Sequence, residues 1–312
     1  MNNNIRLALV GAGRWGRNYI QTIDNLDGVT LTHLASSNPD STGLVNPNCM
    51  VVPNWRPMIE KGGFEGLIIA TPPATHAEIA LAAIEIKLPV IIEKPLTLDA
   101  CEAAILTEAA EKHDAQVLVD HIHLYNPAFR VLKTMVAGWN RIDKIESRSG
   151  KWGPFRNDAP VLWDWGAHDI AMLLDIIGDL PENVSAKQIG SYAVEGGQAE
   201  SIAIDLKWKT GLTAKAEINN HWSEKVKRFE VYSDAEVLVY DDVAVQKLIR
   251  SIDGGKNFNP IKVPSDPPLT VILREFAQAI RDNVKDISGL LLGKRVVSVL
   301  SECQASLKER LV

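Results

Sequence analysis

The chain has no apolar run long enough to cross a membrane, and its opening Met-Asn-Asn-Asn has neither the basic nor the apolar region of a secretory leader. A cytoplasmic protein is expected. Cysteine is scarce: Cys49, Cys101 and Cys303 stand far apart without metal-type spacing, which argues against a disulfide framework or zinc site, and no metal is expected. Lys and Arg form no run and are outnumbered by Asp and Glu, 33 against 39 for a net charge of −6, so a nucleic acid or membrane partner is not expected. A small anion held by one or two basic residues remains compatible. There is no internal repeat or low-complexity tract. What remains is an ordinary composition, 46% hydrophobic and 23% charged, in 312 residues, more than one core usually organises. Two domains follow, residues 1–121 and 122–312.

Ile5 to Val10 reads as a strand and runs straight into Gly11-Ala-Gly13-Arg14-Trp15-Gly16, after which Ile20, Ile23 and Leu26 mark a helix. Glycine at these places has a physical use. Gly11 permits a tight turn, Gly13 lets the backbone approach a pyrophosphate, and Gly16 lets helix and strand pack closely, while the helix N-terminus offers amide donors to phosphate. Val29 to Ala35 is the second strand. Its end, where an acidic residue would bind the ribose hydroxyls of NAD, instead carries Ser36, Ser37 and Asn38. Loss of the carboxylate removes repulsion against a 2′-phosphate, yet no neighbouring Arg or Lys would bind one. NAD and NADP both stay open, with NADP slightly ahead.

Further apolar strands at Leu67–Ala70, Val90–Ile92 and Gln116–Asp120 alternate with helical patterns, which means a doubly wound parallel sheet. The first ends in Thr71-Pro72-Pro73, which suits either a cofactor-facing loop or a rigid connection. The second ends in Glu93-Lys94-Pro95. That tripeptide alone is a common surface turn, but beyond the carboxyl end of an inner strand it stands where open α/β sheets bind ligands. After about Tyr125 the pattern becomes period-two, as at Lys144–Ser149, Ser201–Trp208, Leu212–Ile218 and Arg228–Tyr232, implying an α+β domain with a large, mostly antiparallel sheet. Val161 to Ile177 interrupts it. If this stretch is helical, Asp164 and His168 share a face at i and i+4, where the carboxylate could orient the imidazole for acid/base work. The same pair would equally serve as a cap and a packed histidine. His33, His76, His113, His121, His123 and His221 read individually as structural.

These motifs together, the glycine fingerprint, Thr71-Pro72-Pro73 with His76, Glu93-Lys94-Pro95, Tyr125-Asn126-Pro127 and Asp164-x-Gly166-x-His168, resemble the Gfo/Idh/MocA oxidoreductases over nearly the whole chain. The resemblance implies a cofactor site at Gly11, Gly13, Arg14, Trp15, Gly16, Ser36, Ser37, Thr71, Pro72, His76, Glu93, Lys94 and Asn126. It implies a catalytic set of Lys94, His168 and Asp164, a cis peptide before Pro95, and a sugar, sugar nucleotide or cyclitol substrate bound in the cleft between the domains. Trp163 would wall that substrate, and Lys151, Trp152 and Arg156 lie on a loop before Asp164. That loop suits a charged sugar or plain solvation equally. The chain departs from the family pattern at Ser36 and where many members carry an Asp three residues past the histidine, here Ala171, with Asp169 directly after His168.

The expected activity is hydride transfer between nicotinamide and a secondary alcohol or ketone, in a homodimer or homotetramer built through the second sheet. Two rivals share the fold: a cofactor-binding sugar sensor without catalysis, and a redox-neutral NAD-dependent glycosidase.

Overall fold

The computed structural model describes residues 4–155 and 159–309. They divide into two compact units, Met1–Ile122 with Pro267–Val297, and His123–Asp266 with the chain from Ser298 onward.

The first unit alternates strands and helices: β1 (Ile5–Val10), α1 (Arg14–Asp24), β2 (Val29–Ala35), β3 (Met50–Val52), α2 (Trp55–Lys61), β4 (Gly66–Ile69), α3 (His76–Glu85), β5 (Val90–Glu93), α4 (Ala100–His113) and β6 (Val117–Asp120). The strands form a parallel sheet in the order β3-β2-β1-β4-β5-β6. This is the doubly wound dinucleotide-binding arrangement, in which ligands bind outside the carboxyl ends of the strands where the order reverses. Every residue of β4 and β5 is buried, which is why their sequences are unbroken apolar runs up to Glu93.

The second unit contains α5 (Pro127–Val136), β7 (Lys144–Gly150), α6 (Val161–Asp164), α7 (Gly166–Ile177), β8 (Asn183–Val194), β9 (Gly197–Lys207), β10 (Thr213–Asn219), β11 (Val226–Tyr232), β12 (Val237–Asp241), β13 (Leu248–Ser251) and β14 (Asn259–Pro260). Its sheet runs β14-β13-β12-β11-β7-β10-β9-β8, antiparallel at every pairing except β7 with β10. On β10 the alternation is clear: Ala214, Ala216 and Ile218 are buried while Thr213 and Lys215 are exposed.

Two helices close the described chain, α8 (Pro268–Arg281) and α9 (Ser288–Glu309). The first unit takes α8 and the opening of α9, which the expected division at residues 121 and 122 had put in the second domain. Packing explains it. Phe276 and Ile280 of α8 close over Gly66 so tightly that a Cβ there would lie 2.9 and 2.8 Å from them. Among the described residues no helix is long and apolar enough to cross a membrane.

Candidate active site

The glycine fingerprint forms as its residues require. Gly11 has φ +99°, and a Cβ there would lie 2.5 Å from the carbonyl oxygen of Ala70. At Gly16 a Cβ would lie 2.0 Å from the oxygen of Gly11, so helix and turn close only around glycine. Gly13 differs from both: nothing lies within 4 Å of its would-be Cβ. That open space over the N-terminus of α1, with no side-chain cap and no acidic residue in the first turn, fits a pyrophosphate, whose oxygens the unclaimed amide groups would receive. Arg14 is exposed and Trp15 half-buried beside it. At the end of β2 the Ser36 hydroxyl pairs with that of Ser41 at 2.8 Å, Ser37 is exposed, and Asn38 caps the following turn through Asp40 N.

Past β4, the Thr71 hydroxyl accepts from Thr75 at 2.7 Å and Pro72 is exposed. His76 is wholly buried. Its ring nitrogens contact the carbonyl oxygens of Thr71 at 2.9 Å and Pro95 at 3.0 Å, so it fastens the Thr71 loop to the loop after β5. Lys94 follows β5 and is joined to Pro95 by a cis peptide bond.

Beneath Lys94 lies a buried polar cluster that the sequence did not reveal. Glu93 is 4% exposed, Asp120 and Tyr19 not at all, and His121 2%. Tyr19 donates to the Asp120 carboxyl. Burial pushes the Glu93 carboxyl well above its usual range, and the nearby Asp120 charge pushes it further. Burial likewise raises Asp120 to about 6 against the opposing effects of Tyr19, Glu93 and Lys94. His121 is driven the other way, down to about 3, by burial and then by the Lys94 charge, so its imidazole is neutral. Two carboxyls this close share protons, and the charge beneath Lys94 is smaller than two ionised carboxylates would give.

In the second unit, Val161 to Ile177 is not one helix. It breaks at Trp165, between α6 and α7, and His168 N bonds back to the Trp165 oxygen at 3.1 Å in a tightened turn. The break lets Gly166 sit against Leu300 and Ile218, where a Cβ would be 3.2 and 3.4 Å away. Asp164 and His168 flank it and are both half-buried. A cavity of about 250 Å³ opens beside Asp164, walled by Pro160 and Trp165, by Gln198 and Glu200 of β9 and by Asn220 just past β10. Burial raises the Glu200 carboxyl, although Val161 N donates to it. The buried indole nitrogen of Trp165 has no hydrogen-bond partner among the described residues.

Other expected contacts are placed differently from their neighbours. Trp163 is 6% exposed and its indole donates to Gln304 at 3.3 Å, so it lies in the core rather than on an open wall. Asn126 caps α5 through Ala128 N and donates to Asp242 at 3.1 Å. Lys151 begins a loop that bonds back to β10, its N–H donating to Asn219 O at 3.3 Å; Trp152 is exposed and edge-on to Phe155. Arg156 lies outside the described residues.

Residues 5–121 match the model of the oxidoreductase family with an NAD-binding Rossmann fold, Gfo/Idh/MocA. Inositol 2-dehydrogenase 4 of Saccharopolyspora erythraea is 31% identical over 231 residues, 70% of this chain and 67% of that protein. The chain belongs to the Gfo/Idh/MocA family. It is an NAD(P)-dependent oxidoreductase. A crystal structure from Magnetospirillum magnetotacticum MS-1 agrees at TM-score 0.89 and 41% identity, covering 96% of this chain and 99% of that one. The UDP-N-acetylglucosamine 3-dehydrogenase of Acidithiobacillus ferrooxidans shares the fold at TM-score 0.83 and 20% identity, covering 99% of each chain.

The departures from the Gfo/Idh/MocA pattern now have a setting. Ala171 is fully buried, and Asp169 is buried in an ion pair with Lys227 at 2.9 Å, so neither stands at an open surface.

Proposed function

We propose that the chain interconverts a secondary alcohol and a ketone on a single sugar-like or cyclitol ring. The nicotinamide of the bound cofactor supplies or accepts the hydride. The ammonium of Lys94, after β5, stabilises alkoxide character on the reacting oxygen, and His168 takes or returns the hydroxyl proton with Asp164 orienting it. The observation that carries the substrate class is the cavity beside Asp164. At about 250 Å³ it has room for one ring. Its lining of two carboxyls, Asp164 and Glu200, and two amides, Gln198 and Asn220, suits the donors and acceptors of vicinal hydroxyls. The name of the Saccharopolyspora relative agrees with a cyclitol. Ser36 in place of a carboxylate favours NADP over NAD, and a homo-oligomer through the second sheet completes the reading.

The test is a panel of cyclitols, aldoses and a nucleotide sugar with each cofactor, read by absorbance of the reduced nicotinamide. A cyclitol or free sugar should be the best substrate. Release of aglycone from a glycoside without net reduced cofactor would favour the glycosidase, and ligand binding without either product the sensor. Lys94→Ala should lower turnover at least about 100-fold with the cofactor dissociation constant within about threefold of wild type. Turnover within a fewfold of wild type would remove Lys94 from the mechanism.

A further inference from the structure

His168 does not stand alone. The ring of His123, on the turn after β6, meets it edge to face, with centroids 5.1 Å apart and planes at 86°. His123 Nδ1 is 2.9 Å from the hydroxyl of Tyr240, a fully buried residue of β12. The Tyr240 ring is set by its packing on Phe129, at 5.9 Å and 64°, and Phe129 in turn packs on Phe229. Beyond the hydroxyl is Asp242, whose charge acts on the phenol. Asp242 is itself held, accepting from Asn126 at 3.1 Å and from Lys225 at 3.2 Å.

A phenol hydroxyl can donate or accept, and either way its contact with Nδ1 fixes the ring plane of His123. The fixed ring then bears on His168.

We propose that His123 is a positioning residue for His168, locked by Tyr240 so that the His168 imidazole keeps one orientation in the turnover cycle. The proposal rests on the acid/base role of His168 given above. Its consequence is that removing one distant hydroxyl slows the chemistry without loosening substrate binding, because what is lost is the alignment of a catalytic group.

Tyr240→Phe, which keeps the ring and deletes the hydroxyl, tests this against the best substrate of the panel. kcat should fall about tenfold with KM within about twofold and the thermal midpoint close to wild type. His123→Gln, whose amide can still hydrogen-bond the phenol, should retain more activity than His123→Leu. In a His168→Ala background the Tyr240→Phe change should alter turnover by less than about twofold, since the two act as a unit. If the effects multiply instead, Tyr240 acts elsewhere and the proposal is overturned; if Tyr240→Phe matches wild type while His168→Ala is inactive, only the positioning role fails. A near-wild-type His168→Ala would overturn the acid/base reading itself. A readout free of substrate is the nitrogen-15 spectrum of labelled histidines in the full chain. It should show altered signals for both His123 and His168 in Tyr240→Phe, whereas unchanged histidine signals would overturn the proposal.

Discussion

The two units each bury a cluster of charged side chains, and they handle the charge in opposite ways. Under Lys94, two carboxyls and a neutral imidazole are packed together, with one Glu93 oxygen, one Asp120 oxygen and both His121 nitrogens lacking hydrogen-bond partners among the described residues. Their proton affinities are moved far from the ordinary values. Beside α7 in the second unit, Asp169 is met by Lys227 at 2.9 Å and by the hydroxyls of Ser147 and Ser149, and Lys227 also donates to Ser149 at 2.8 Å. Opposite charges and hydroxyl donors on one Asp169 oxygen hold the second cluster, its other oxygen having no hydrogen-bond partner among the described residues, whereas shifted protonation makes the first tolerable. Groups with shifted proton affinities, as in the first cluster, gather at functional sites; a cluster of the second kind fixes how strands and a helix join.

The largest effect should come from breaking the ion pair. Lys227→Met leaves a buried Asp169 charge without its cation and should cost about 3–5 kcal/mol of stability, measured by denaturant unfolding. Adding Asp169→Asn should recover much of that loss, because no buried charge then remains. A single variant as stable as wild type would show that the pair contributes packing alone.

The first cluster should reveal itself through pH. Asp120, raised from 3.8 to about 6, contributes stability that is complete below about pH 3.8 and lost as pH rises through 6. His121, lowered from 6.5 to about 3, contributes stability present above about pH 6.5 and lost as pH falls towards 3. Thermal midpoints measured from pH 4 to 7 should therefore separate the variants. Asp120→Asn should gain on wild type as pH rises, and His121→Asn should gain on it as pH falls. Curves parallel to wild type in both would mean that neither group's proton affinity is altered by folding.

How much of this was legible beforehand differs between the units for a physical reason. β1, β4 and β5 are buried on both faces, so continuous apolar runs betrayed them, and the glycines of the first turn announced its geometry. In the second unit β9, β10 and β11 showed period-two alternation, but β8 is an edge strand with most residues exposed or half-exposed, and β12 is buried on both faces; neither alternates cleanly. Lys94, Asp164 and His168 were singled out as candidates from motif order. Glu200, Gln198 and Asn220 were not, because only the pairing of β9 with β10 brings Asn220, just past β10, beside the other two. Likewise Tyr19 meets Asp120 across a hundred residues of chain, and a lone histidine such as His123 carries no local sign of its Tyr240 partner. Pairings closed by the sheet leave no local pattern.

The smallest effect sharpens the contrast most, because α7 supplies the aspartate of a second lysine pair. Asp175, further along the same helix, meets Lys133 of α5 at 2.7 Å, closer than Asp169 meets Lys227. Distance alone would rank the outer pair stronger. Its side chains, however, are 47% and 21% exposed, against 1% and 0% for the inner pair, so water already solvates both charges in the absence of the partner. Lys133→Ala should therefore cost at most about 1 kcal/mol, and the difference should shrink as salt is raised from 0.05 to about 0.5 M, where the screening length falls well below its physiological value of roughly 8 Å. The Lys227→Met loss should be nearly unchanged over that range. If the two losses respond equally to salt, burial is not what separates these pairs, and the division between a structural and a tunable cluster would need another cause.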